Sequence, residues 1–171
     1  LKDLIANGKT DMAKVHALWT LDGLHQLDEA TVASALGAKA PRVRSTAIRL
    51  CENFLKTDAR SRLLAKLIAM NYERKPFVQQ QLALTLGEAA DHEADLAMAK
   101  LVQQTPDTGF LIDAVVSGLG GREASLLESL VTDSSSNDKL IAALARCVVA
   151  SRKAADIEKL QDGGVDAIMF G

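Results

Sequence analysis

The side chains in this 171-residue sequence best suited to chemistry are three histidines, two cysteines and one tryptophan, and their spacing scatters them. His16, His25 and His92 lie too far apart along the chain to make a metal cluster. The run Asp91-His92-Glu93-Ala94-Asp95 carries ligand-type side chains, but neighbouring residues of a helix point about 100° apart and cannot converge on one ion. An N-cap with an acidic first turn, favoured by the helix dipole, accounts for that run better. Cys51 and Cys147 each sit in an apolar stripe with no His nearby, so they read as buried free thiols. A disulfide between them would join distant parts of the chain and is not expected. No Gly-x-Ser-x-Gly occurs, and Gly118-Leu119-Gly120-Gly121 lacks the preceding strand and the Lys of a phosphate-binding loop. These residues assemble no catalytic constellation, and the expectation is a chain that is not an enzyme and holds no cofactor or metal.

Whatever these residues do, helices must position them. The apolar content is mostly Ala and Leu, aromatic residues make up only 4%, and no period-2 alternation occurs. From Pro41, apolar residues fall at Val43, Ala47, Leu50, Cys51 and Phe54, the one-face helical pattern, and Leu63, Leu64, Leu67, Ile68 and Tyr72 repeat it. The breaks predict helices over 11–25, 28–36, 41–55, 58–71, 76–89, 91–104, 107–119, 122–132, 137–150 and 154–161. Asp28, Asp91 and Asp107 stand at N-cap positions, Pro41 and Pro76 in first turns, and Gly8 and Gly37 at helix ends. Residues 1–8 read as the end of a preceding helix, and 163–171 as a C-terminal tail after the stop at Gly163-Gly164.

Self-similarity organises the whole chain. Val15, Val43, Val78, Leu111 and Leu140 occupy the same early position in the first helix of successive pairs, spaced 28, 35, 33 and 29 residues apart. Four residues on, Trp19, Ala47, Leu82, Val115 and Leu144 continue the stripe. A period near 30 with two short helices per unit is the mark of a helical solenoid. The expected fold is all-α, a right-handed α-α superhelix of about five HEAT-like helix pairs, forming one domain over residues 1–171. Trp19 is expected in its core, so that truncation to Ala would cost roughly 3–5 kcal/mol.

Two stretches carry a more specific likeness. Val15-His16-Ala17-Leu18-Trp19-Thr20-Leu21-Asp22-Gly23-Leu24 and Pro41-Arg42-Val43-Arg44-Ser45-Thr46-Ala47-Ile48-Arg49-Leu50 resemble the HEAT-like region of large multidomain membrane-bound dehydrogenases of planctomycetes and related bacteria. In that family a sugar-dehydrogenase-like propeller precedes the helical repeats and a c-type cytochrome domain follows them. The resemblance implies an exported parent in the periplasm or cell envelope, of which this chain is a fragment. The opening at Leu1 without an initiator Met points the same way. It transfers no active site, because the family's chemistry lies in the flanking domains and Cys-x-x-Cys-His is absent here. In HEAT patterns an Arg at the position of Arg44 often ties adjacent repeats together, which gives Arg44 a structural role.

Charge is the remaining surface signal. Residues 39–75 hold ten Lys/Arg against three acids, so this segment is +7 while the rest of a chain of net charge −2 is −9. Either this is an ordinary solvated helical surface, or Arg42, Arg49, Arg60, Arg62 and Lys66 form a basic patch that docks an acidic partner. Arg62 and Lys66, spaced i and i+4, are the pair expected to point together. The leading functional expectation is a non-catalytic scaffold or protein-interaction module, linking a dehydrogenase-like propeller to a cytochrome domain. Its partners would be a protein or the flanking domains of the same chain. The alternative is a nucleic-acid-binding enzyme of the HEAT-like DNA glycosylase kind. That class wants a broadly basic groove, so nucleic acid is not the expected partner of a net-negative chain. No apolar run approaches the roughly 18 residues that span a bilayer.

Overall fold

A computed structural model describes residues 1–105, 109–131 and 137–152. The described residues form ten α-helices and no strand: α1 (Lys2–Asn7), α2 (Asp11–Gly23), α3 (Glu29–Leu36), α4 (Pro41–Cys51), α5 (Arg60–Ala69), α6 (Pro76–Glu88), α7 (His92–Gln103), α8 (Gly109–Leu119), α9 (Glu123–Val131) and α10 (Asp138–Ser151). Local chemistry sets their ends. Thr10, Asp28, Asp91 and Asn137 accept from first-turn amides, as the orphan N–H groups of a helix start require. Pro41 and Pro76 begin α4 and α6, where a missing N–H costs nothing. The last turns after α4 and α5 tighten into 3-10 geometry over Glu52–Phe54 and Met70–Tyr72. Helix α5 starts at Arg60 rather than Asp58, because a turn closed by the Arg60 N–H on the Thr57 carbonyl (3.0 Å) comes first. The expected cap at Asp107, the helix over 154–161 and the tail from 163 lie outside the described residues.

The helices stack in two layers. Helix α2 packs on α4, α4 on α6, α6 on α8 and α8 on α10; in the other layer α1 packs on α3, α3 on α5, α5 on α7 and α7 on α9. The result is an all-α, solenoid-like array, and one register runs through its first layer. Counting the first helical residue as position 1, positions 3, 7, 8 and 11 are buried or partly buried in all five helices. They are Val43, Ala47, Ile48 and Cys51 in α4, Val78, Leu82, Ala83 and Leu86 in α6, and Leu140, Leu144, Ala145 and Val148 in α10.

This register corrects the reading of Trp19. In α2 the positions 3, 7, 8 and 11 are Ala13, Ala17, Leu18 and Leu21, so the stripe anchored on Val15 is two residues out of step. Leu18 is fully buried while Trp19, about 100° round the helix, is 45% exposed. Trp19 is a surface residue, and its truncation would open no core cavity. Cys147 is likewise only half-buried, whereas Cys51 is buried.

Helices α6 and α8 touch backbone to backbone. A Cβ built on Gly87 would stand 2.6 Å from the Gly118 Cα, and one on Gly118 would stand 2.9 Å from the Gly87 Cα. Both contacts are backbone to backbone, so no side chain can rotate away. Gly118→Ala should therefore destabilise the chain by about 1–3 kcal/mol through overpacking. Gly23→Ala, with nothing within 4 Å of its Cβ, should be neutral or stabilising by up to about 1 kcal/mol. Denaturant midpoints of the two variants test this, and equal effects would contradict it.

Candidate functional site

The basic segment separates by layer. Arg42 and Arg49 belong to α4 in the first layer, and Arg60, Arg62 and Lys66 to α5 in the second. Most of these charges are already engaged. Arg62 donates to both oxygens of Glu29 on α3 (2.7 and 2.6 Å), and Arg60 reaches the Asp91 carboxylate at 3.4 Å. Arg49 pairs with Glu52 one turn on, and Glu52 also accepts from the Thr85 hydroxyl at 2.8 Å. The Arg62 hydrogen bond holds the Glu29 carboxyl below its ordinary range, although Arg62 is exposed and Glu29 only partly buried. Lys66 and Arg42 are exposed and have no hydrogen-bond or ion-pair partner among the described residues. The five residues thus form no single patch, and the Arg62–Lys66 pair keeps only one unneutralised cation.

The pairing pattern shows what most of this charge does. Side-chain bonds between distant residues join positions one repeat apart, as in Asn53 to Asp22, Arg74 to Gln104 and Gln79 to Thr105. Two nodes are deeply placed. Arg44 donates to Glu73 at 2.7 Å and to the carbonyls of Ala38 and Lys39 at 2.8 and 2.9 Å. Burial pushes the Glu73 carboxyl up, but the amides of Lys75 and Arg74 with the Arg44 guanidinium outweigh this and hold it below its ordinary value. The second node is Arg122, which donates to both oxygens of Asp95 (2.9 and 3.1 Å) and to the carbonyls of Gly118 and Gly87 (3.0 and 3.3 Å). It ties together the two helix ends whose glycines touch.

Sequence reasoning missed Glu73, Asp95 and Arg122, and for Asp95 a signal existed. Asp95 is position 4 of α7, the slot filled by Val32, Leu63 and Leu126 in α3, α5 and α9, all of them fully buried. Aligning the starts of the second-layer helices exposes an acid in a core slot.

Reactive groups stay apart. Among the described residues no three His, Cys, Asp or Glu side chains gather to hold a metal ion. Burial pushes the Cys51 thiol up to about 12, which leaves it protonated and poorly nucleophilic at neutral pH. No helix among the described residues is long and apolar enough to cross a membrane.

The outward surface of α2, α4 and α6 has no role within the stack. A groove of about 340 Å³ is lined by Met12 and Val15 of α2, Arg42, Ser45 and Thr46 of α4, and Phe77 of α6. Met12, Arg42 and Phe77 are each position 2 of their helices, and two turns on, at position 9, stand Trp19, Arg49 and Leu84. Met12, Trp19, Phe77 and Leu84 are 49, 45, 47 and 39% exposed. An arginine column on α4 is therefore flanked on both sides by a large-apolar column. Compared with known proteins, the chain matches no family model, and no curated protein or solved structure matches it significantly. The functional reading rests on this geometry.

The depressed Glu73 carboxyl sets a pH dependence. Its folded-state value lies below the ordinary 4.5, so the stability it contributes is present above about pH 4.5 and is lost as pH falls through the folded value. Urea midpoints should hold from neutral pH down to that point and then drop. Glu73→Gln should lower the neutral midpoint and flatten the acid limb; a variant with an unchanged acid limb would show that Glu73 contributes nothing there.

Proposed function

We propose that this chain is a non-catalytic, HEAT-like repeat module that docks a protein partner or the flanking domains of its own parent chain. The outward face of α2, α4 and α6 carries the reading. Four large apolar side chains stand half-exposed around arginines on three adjacent helices, and Trp, Met, Phe and Arg are the residue types enriched in protein interfaces. Single exposed apolar residues are ordinary on a surface; a register-matched set on neighbouring helices is not. The charges outside this face largely serve the stack itself, which supports a passive scaffold over a site of chemistry. The likeness of residues 15–50 to the repeat region of the dehydrogenase–cytochrome proteins suits a linker between a propeller and a cytochrome domain.

The test is capture of separately expressed propeller and cytochrome domains of the parent by the wild-type module and by Phe77→Glu. The module should capture at least one of them, and Phe77→Glu should lose that capture with unchanged helical circular dichroism. Capture undiminished by Phe77→Glu would place docking elsewhere. An Arg62→Glu, Lys66→Glu variant should bind as wild type, since Arg62 is occupied by Glu29 and only Lys66 remains free.

A further inference from the structure

We infer that the α2–α4–α6 face takes an amphipathic helix bearing carboxylates, laid along α4 between the two apolar columns. This rests on the docking reading above and names the partner's chemistry. The α4 floor between its arginines is Ser45 and Thr46, side chains small enough to leave a trough. The ridges on either side are Met12 and Trp19 of α2 and Phe77 and Leu84 of α6. Seven residues separate position 2 from position 9, about 10 Å along each axis, so the face repeats every two helical turns. A helix repeats on the same two-turn interval, and can therefore meet both ranks with residues i and i+7.

Charge complementarity fixes what those residues are. No carboxylate lines the groove, and Arg42 stands in it without a partner among the described residues. Arg42 differs in this from Arg44, Arg49, Arg60, Arg62 and Arg122, each of which has found an acid. An Arg between apolar ridges is a fork for a carboxylate, strengthened as those flanks exclude water. Arg49 is paired with Glu52, yet its side chain is 54% exposed and can share a second carboxylate. The occupant is thus a helix with acids at i and i+7 and apolar residues on both flanks. A nucleic acid would use the arginines but leave four apolar side chains uncovered, which makes it the poorer fit.

Trp19 is the only tryptophan and lies on the face, so its emission reports occupancy directly. The probe is a helical peptide of about 14 residues with Glu at i and i+7 and Leu beside them; the control has Lys in place of both Glu. The acidic peptide should shift Trp19 emission to the blue saturably and bind at least about tenfold more tightly than the control. Arg42→Glu with Arg49→Glu should invert that order, while Phe77→Glu should abolish both titrations and keep the circular dichroism of the wild type. Equal affinity for the two peptides, or no inversion, would overturn the proposal. So would displacement of the acidic peptide by a single-stranded oligonucleotide, or self-association of the chain that Phe77→Glu dissolves. If the flanking domains are captured but the acidic peptide does not bind, only the acidic-helix partner falls. If Phe77→Glu leaves domain capture intact, the docking reading falls with it.

Discussion

Every helix described here is too short to be stable alone, and that constraint shapes the rest of the molecule. The helices span 6 to 14 residues, at or below the length at which isolated helices become marginal in water. Each persists because its apolar surface meets neighbours: α2, α4, α6 and α8 pack on one another along the first layer, and α1, α3, α7 and α9 pack mainly on first-layer helices. Holding positions 3, 7, 8 and 11 at the interface fixes which positions face outward in every first-layer helix. Positions 2 and 9 face outward as a consequence in α2, α4 and α6, and the docking face is built from them. At α6 and α8 the meeting becomes backbone on backbone at Gly87 and Gly118, and the most extensive helix contact among the described residues forms there.

Polar groups are arranged around that constraint rather than against it. The Gly87 and Gly118 carbonyls lie near helix C-termini, where intrahelical donors run out; Arg122 donates to both, beside the Ala90 amide that also reaches the Gly87 carbonyl. Asp95, almost wholly buried, holds Arg122 in that position through two hydrogen bonds. A buried carboxylate so placed contributes little net attraction, but removing its partner would leave an uncompensated charge. The pair therefore selects one packing of α6, α7 and α8. Arg44 and Glu73 do the same one repeat earlier, between the loop before α4 and the loop before α6. A chain that uses its arginines this way leaves few for partners, which gives the unpaired Arg42 its weight.

The all-α stack was legible because helical periodicity is a local property. Val43, Val78, Leu111 and Leu140 all stand at position 3 of their helices, so the repeat spacing could be read along the chain. The same logic slipped in α2, where Val15 and Trp19 are apolar at i and i+4 yet only Val15 packs against the core, at its edge, while Trp19 lies on the outward face. One apolar pair cannot tell a core stripe from a docking stripe; only the helix start, capped by Thr10, settles the register. Pairing was less legible, because it depends on which side chains a neighbouring repeat brings close. The sequence marks Arg62 as basic and Glu29 as acidic, 33 residues apart, but nothing local says that they meet. The role of Gly118 was hidden for the same reason: its contact with Gly87 exists only in the stack.

If stacking between neighbours is the governing constraint, stability must vary along the array rather than being shared uniformly. Native-state amide hydrogen exchange measures this helix by helix. The account predicts the slowest exchange in α6 and α8, where the backbones touch, with protection falling stepwise through α4 to α2 on one side and into α10 on the other. Protection of equal size in α2, α6 and α10, lost together in one global opening, would contradict it.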